Sequence, residues 1–178
     1  MLVLGAGAWG TAFATRLSSG HPNASVHLWS RNVDHVKKLQ TQKTNEKYLT
    51  GFKLSEKLVF EADLKEASQN WSKFSLNKSG LKIIVLAVPV SALIEVCSNL
   101  KKMEPLNCSC ILWLCKGTVR TKKGVLWPSQ VIKQFFPKVF SLVLSGPSFA
   151  QEVASGLPFA LTCAGVNLSF ARTVAKSL

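Results

Sequence analysis

The segment that most limits what this chain can become is its first: Leu2-Val3-Leu4-Gly5-Ala6-Gly7-Ala8-Trp9-Gly10. A branched apolar run breaks into three closely spaced glycines, after which Trp9, Phe13 and Leu17 recur at helical intervals. The pattern predicts a buried strand, a tight turn and a helix packed back on that strand. Each glycine has its own mechanical reason. Gly5 permits the turn, Gly7 lets the backbone approach a pyrophosphate, and Gly10 lets the helix lie close to the strand. The start of such a helix offers free N–H groups and the positive end of its dipole to phosphates. We expect a dinucleotide-binding loop here, with a purely structural turn as the alternative.

Further short apolar runs at residues 26–29, 83–88, 111–114 and 140–144 are bounded by turn formers, as buried parallel strands are. Helical patterns lie between and after them, at 34–42, 91–101, 125–136, 148–155 and 169–178. Gly20 with Pro22 ends the first helix. This alternation predicts an α/β chain: a Rossmann-like, doubly wound, mainly parallel sheet with right-handed crossovers. We expect a dinucleotide-binding domain over residues 1–166 and the start of a helical region at 167–178. A loop with Asn45, Tyr48 and Gly51 follows the second helix, and residues 70–80, polar with Ser72, Ser75, Asn77, Ser79 and Gly80, read as a surface insertion.

Composition narrows the classes of function. A chain of 178 residues, 47% of them hydrophobic, can bury one sizeable core, and no apolar run reaches the roughly 18 residues that cross a bilayer. Met1 leads directly into Leu2 without a basic leader and cleavage site, so the expected location is cytoplasmic, or the plastid if a leader is missing. The net charge of +13 suits an anionic partner. Its basic residues come in scattered pairs, Lys37/Lys38, Lys101/Lys102 and Lys122/Lys123, with Tyr48 the single tyrosine, so nucleic acid is not expected. The cysteines, 5 in number, sit mostly in apolar segments and read as reduced, buried thiols. Cys108 and Cys110 would share one face of a strand, for packing and not for metal. His21, His27 and His35 look isolated and receive no catalytic role.

Four strand ends face the expected ligand crevice, and three of them carry candidate chemistry. The second strand runs out at Trp29-Ser30-Arg31-Asn32, where an NAD-selective site usually has a carboxylate. Arg31 stands there instead. A guanidinium can pair with a 2′-phosphate and stack on adenine, so NADP should be tolerated or preferred; the alternative is a solvent-facing arginine. Asp34 reads as a helix N-cap. Ala87-Val88-Pro89 and Cys115-Lys116-Gly117 end two later strands, and Lys116 serves equally as a solvated group or as a cation for a phosphate or carbonyl. In Ser145-Gly146-Pro147-Ser148-Phe149-Ala150, small residues let a ligand approach the backbone, while Ser148 caps the next helix.

Taken together these segments resemble the NAD-dependent glycerol-3-phosphate dehydrogenases of the bacterial and plastid type. The matches are the glycine loop through Thr11-Ala12, Leu28-Trp29-Ser30-Arg31, Asn45 with Tyr48-Leu49, Ala87-Val88-Pro89, Lys116-Gly117, and Ser145 to Ala150 with Glu152. The resemblance implies that Gly5, Gly7, Ala8, Trp9, Gly10, Arg31, Tyr48, Lys116 and Ala150 form the NAD(P) site. It also implies that Lys116, Gly146 and Ser148 contact a small phosphorylated substrate. The implied reaction is reversible hydride transfer between the nicotinamide and dihydroxyacetone phosphate, giving sn-glycerol 3-phosphate; a homodimer stays open. Val90 departs from the small hydroxyl residue usual after Val-Pro in this family. The family's general acid/base lysine lies in a Gly-rich segment ending in Leu-Lys-Asn, which nothing here matches, and Lys176 lacks that context. The expectation for these 178 residues is cofactor binding with crippled catalysis. Related 6-phosphogluconate or ketopantoate-type reductases, and a non-catalytic nucleotide-binding module, are the competing readings.

Overall fold

β1 (Leu2–Leu4) is a strand with no exposed face: Val3 points into one apolar cluster, Leu2 and Leu4 into another. The period-2 alternation of a strand buried on both sides produces this split. In this computed structural model, which describes residues 1–21, 23–74, 80–103 and 105–178, the same alternation recurs in β6 (Ile83–Leu86) and β7 (Cys110–Trp113). The central sheet is seven-stranded, in the order β11-β10-β7-β6-β1-β2-β5. Here β2 is His27–Trp29, β5 Val59–Glu61, β10 Phe140–Ser145 and β11 Thr162–Ala164. All neighbours pair in parallel except β11, which runs antiparallel to β10. Two hairpins stand apart from this sheet: β3 (Thr44–Asn45) with β4 (Leu49–Lys53), and β8 (Val119–Thr121) with β9 (Gly124–Leu126).

Helices cover both faces. α1 (Ala8–Gly20), α2 (Val33–Gln42) and α7 (Leu168–Ala175) bury Phe13, Leu17, Val36, Leu39, Ala171 and Val174 with Val3. On the other face α3 (Leu64–Phe74), α4 (Leu93–Lys101) and α5 (Pro128–Phe135) bury Trp71, Leu93, Val96, Leu100, Val131 and Ile132 with Leu2 and Leu4. α6 (Ala150–Ser155) lies against α1 and β4, where Val153 packs with Ala12 and Leu49. The doubly wound, mainly parallel sheet expected from the sequence is therefore the architecture observed.

Several local expectations are corrected. Residues 70–74 are not an insertion but the last turn of α3, because Trp71 is 1% exposed and holds that turn in the core. Ser75, Asn77 and Ser79, like Pro22, fall outside the described residues. Val125 belongs to β9 and not to a helix. Thr121 Oγ1 donates to Gly124 O at 2.9 Å and accepts from the Lys123 N–H at 3.1 Å, closing a hairpin, and α5 starts only at Pro128. The absent amide hydrogen of proline costs nothing at a first helical position. Asn32, not Asp34, caps α2, accepting from the His35 N–H at 2.8 Å. Cys108 precedes β7, so it escapes strand alternation and packs on the Trp71 side, whereas Cys110 lies in the Val3 cluster.

The histidines are isolated only in sequence. His27 is buried, with Nδ1 3.1 Å from Glu61 Oε1 and Nε2 2.9 Å from Ser25 Oγ. Nδ1–H donating to the carboxylate and Nε2 accepting from the hydroxyl satisfies both contacts with a neutral ring. Burial is the largest influence and holds the pKa of His27 below the usual 6.5; Glu61 pulls the other way, and the nearby amino terminus adds to the lowering. The unfolded chain thus takes up a proton near pH 6.5 that the folded chain resists. Stability from this site is complete above that pH and is lost as pH falls through the lower, folded value. Thermal denaturation from about pH 7.5 down to about pH 5 should show a falling midpoint, and His27→Gln should flatten the slope. An unchanged slope in the variant would assign the acid sensitivity elsewhere.

Candidate functional site

The chain leaves β1 toward β2 and β5 on one side of the sheet, then returns to β6 on the other. Strand order therefore reverses beside β1, and the carboxyl ends of the strands diverge there to leave a crevice. A cleft of about 900 Å³ occupies that position. Its walls are the segments that follow the strands: Gly5 to Gly10 after β1, Ser30-Arg31 after β2, Ala87-Val88-Pro89 after β6, Cys115-Lys116 after β7, and Ser145-Gly146 with Ser148 after β10. Tyr48, from the β3–β4 turn, completes one side.

The three loop glycines differ in what surrounds them. Gly5 has φ +118°, and a side chain there would press on the Ala87 carbonyl. At Gly10 a Cβ would fall on the Gly5 carbonyl oxygen and 3.0 Å from Ala87 Cβ, so α1 approaches β1 and the β6 end only because that atom is missing. Gly7 has nothing within 4 Å of a would-be Cβ, and it lines the cleft. The first two glycines thus serve packing, and the third leaves backbone open to a ligand. Gly7 is also the N-cap of α1, with no side-chain cap and no acidic residue in the first turn, so the N–H groups there receive no such partner from the chain.

Opposite this loop, Trp9 Nε1 donates to the Ser148 carbonyl at 3.1 Å, tying the first turn of α1 to the segment after β10. Ser148 does not cap α6. Phe149 stands at the N-cap, and its N–H donates to Glu152 Oε2 at 3.1 Å. Gly146 lines the cleft, and a Cβ on it would strike the Ala160 carbonyl, so tight packing on the segment that leads into β11 already requires glycine there. Ala150 is not among the cleft-lining residues; it packs beside Trp9 on the Ala12, Leu49 and Val153 cluster, because α6 turns that position toward α1. Arg31 and Lys116 are both exposed and both line the cleft, from the ends of β2 and β7, with β1 and β6 between them.

Cys115 faces the cleft yet is only 8% exposed, and its Sγ donates to Val88 O at 3.3 Å. Burial pushes its pKa up to about 11, so the thiol stays protonated and serves packing, not nucleophilic attack. Sequence reasoning missed the wall contributed by Glu95, Val96 and Asn99 of α4. A signal for it lies in Pro89, which follows β6 at the crevice and precedes the turn that leads into α4. Among the described residues no group of three or more His, Cys, Asp and Glu could hold a metal ion, and no helix is long and apolar enough to cross a membrane.

A parallel sheet ordered 3-2-1-4-5-6 in its main strands, with a glycine turn opening the first helix at the point of reversal, defines a Rossmann-like domain of the dinucleotide-binding type. Residues 1–171 match the family described as NAD-dependent glycerol-3-phosphate dehydrogenase N-terminus, and the chain belongs to that family. It is 42% identical over 99% of its length to the glycerol-3-phosphate dehydrogenase (NAD(P)+) of Nitrosomonas europaea, and 37% identical over its whole length to that of Thiobacillus denitrificans. The chain spans 49% of each of these relatives. Among solved structures, glycerol-3-phosphate dehydrogenase from Coxiella burnetii superposes with a TM-score of 0.83 at 32% identity, covering 99% of this chain and 50% of that one.

Proposed function

We propose that this chain is the cofactor-binding part of an oxidoreductase that interconverts dihydroxyacetone phosphate and sn-glycerol 3-phosphate with NAD(P). The observation that carries the reading is that the glycine loop, Arg31 and Lys116, far apart in sequence, line one cleft at the point where strand order reverses. The chain's residues fit a dinucleotide: Gly7 is open toward the cleft, and the α1 N-terminus behind it has no capping side chain. In this reading the backbone from Gly5 to Gly10 receives the pyrophosphate, with Ala8 and Trp9 in the first turn of α1. Tyr48 and Arg31 take the adenosine end, and Ala150 supports the site through its packing beside Trp9.

A bound nicotinamide supplies or accepts the hydride. The chain's own contribution is to bind and orient. Lys116 offers a cation to the substrate phosphate or to the oxygen on which negative charge develops, where a preorganised charge is worth most. Gly146 and Ser148 present backbone to the same space, held by the Trp9 to Ser148 bond. Arg31 favours NADP, since its guanidinium can pair with a 2′-phosphate.

Titration calorimetry of the 178-residue chain tests both halves of the reading. NADPH should bind, and dihydroxyacetone phosphate should then bind the cofactor complex and lose that binding in Lys116→Met. A chain that binds the dinucleotide but no triose phosphate would be a nucleotide-binding module instead. Arg31→Asp should weaken NADPH about a hundredfold, the loss of a charge-assisted pair plus like-charge repulsion, and NADH by about threefold or less. Equal losses for the two cofactors would remove Arg31 from the 2′ site.

A further inference from the structure

We infer that Asn45 and His35 form the positioning pair that sets the glycine loop's backbone for its ligand, an inference that rests on the dinucleotide reading above. Asn45 is 1% exposed, and its amide meets three separate segments. Nδ2 donates to the Ala6 carbonyl at 3.1 Å and to Thr11 Oγ1 at 2.8 Å, while Oδ1 accepts from His35 Nε2 at 2.9 Å. The arrangement allows one orientation only. The Ala6 carbonyl can only accept, so turning the amide over would set oxygen against oxygen; Oδ1 therefore faces His35, whose Nε2 must carry the ring hydrogen.

The consequence for the loop follows from peptide geometry. In a planar trans peptide the C=O and the N–H point in opposite directions. Asn45 holds the Ala6 carbonyl from the β3 side, so the N–H of the same peptide, that of Gly7, is aimed the other way, toward the cleft that Gly7 lines. A flipped Ala6–Gly7 peptide would place a carbonyl oxygen where an anion is to sit. Gly7 is the residue most free to allow that flip, having no Cβ and no atom near where one would be. The bond to Thr11, buried in the first turn of α1, makes loop and helix start a single unit, since the Thr11 N–H also donates to Gly7 O at 3.0 Å.

His35 extends the unit to the cleft wall. Its N–H is held by the α2 cap at Asn32, and its ring meets the Tyr48 ring edge-on, centroids 5.3 Å apart at 72°. The hub therefore couples the phosphate loop to a second side chain that lines the same cleft. Ordering these backbone groups before the ligand arrives lowers the cost of binding.

The test uses the 178-residue chain with two variants at one position. His35→Phe keeps an aromatic ring for Tyr48 and removes the donor to Asn45; His35→Gln restores a donor near the Nε2 position. Without ligand, the Thr11 amide should exchange its hydrogen about tenfold faster in His35→Phe and near the wild-type rate in His35→Gln. The Kd for NADPH should rise about tenfold in the first variant and within about threefold in the second. Wild-type exchange and affinity in His35→Phe, or equal damage from both substitutions, would overturn the positioning role. If the wild-type chain bound no NADPH, the dinucleotide reading would fall, while the exchange rates would still decide whether this pair orders the loop.

Discussion

Replacing Gly10 by alanine is expected to cost about 3 kcal/mol or more of folding stability, a fall in thermal midpoint of roughly 10 °C for a chain of this size. The new methyl would fall on the Gly5 carbonyl oxygen and crowd Ala87 Cβ. Neither can step aside. The Gly5 carbonyl belongs to the turn itself, whose N–H is fixed on the Trp29 carbonyl at 2.9 Å, and Ala87 is held by its N–H on the Leu4 carbonyl at 2.8 Å. Relief requires α1 to lift from the sheet, opening the cluster that contains Phe13 and Leu17. Gly7→Ala is the matched control, because its methyl meets nothing within 4 Å. That variant should melt within about 2 °C of wild type, yet bind NADPH at least about tenfold more weakly if Gly7 faces the pyrophosphate. Equal melting of the two variants would mean that α1 has room the structure does not show.

Trp71→Ala should destabilise the chain by about 3–5 kcal/mol, the usual range for emptying a buried Trp site. Trp71 lies in the last turns of α3 at 1% exposure, packed with Leu64, Ala67 and Leu4. From sequence it sits among Asn70, Ser72 and Ser75, and a surface residue in such company would change stability by less than about 0.5 kcal/mol on truncation. Chemical denaturation distinguishes the two outcomes directly. Trp71→Phe should recover most of the loss, since it restores ring volume without the indole N–H, for which no partner is seen among the described residues. A value near zero for the alanine variant would place α3 off the sheet.

The difference between what was legible and what was not has a consistent physical origin. β1, the glycine turn and α1 were legible because period, branching and glycine spacing are properties of neighbouring residues. The same holds for the runs that became β6, β7 and β10, each within one or two residues of the observed strand. Trp71 was misread because a polar neighbourhood dilutes a helical period when only one large apolar residue marks it. The hairpin at Val119–Leu126 was misread because Val125 also fits the helical pattern that follows, and only cross-strand pairing with Arg120 distinguishes the two. The sequence suggests only ligand approach as a reason for Gly146, whereas the backbone around Ala160 requires glycine there as well, a contact no local pattern encodes.

What the sequence alone determined, then, is the class of fold and the loop that opens it, because buried strands, helix periods and glycine turns are fixed by short-range sterics and by which faces must leave water. The tertiary structure decided how that loop is held and where the charged residues meet. Asn45 lies 39 residues from the Ala6 carbonyl it binds, His27 34 residues from Glu61, and Trp9 139 from the Ser148 carbonyl. Such partners are selected by the packing of whole elements, and a buried amide or imidazole records nothing in its neighbours about the group that will satisfy it.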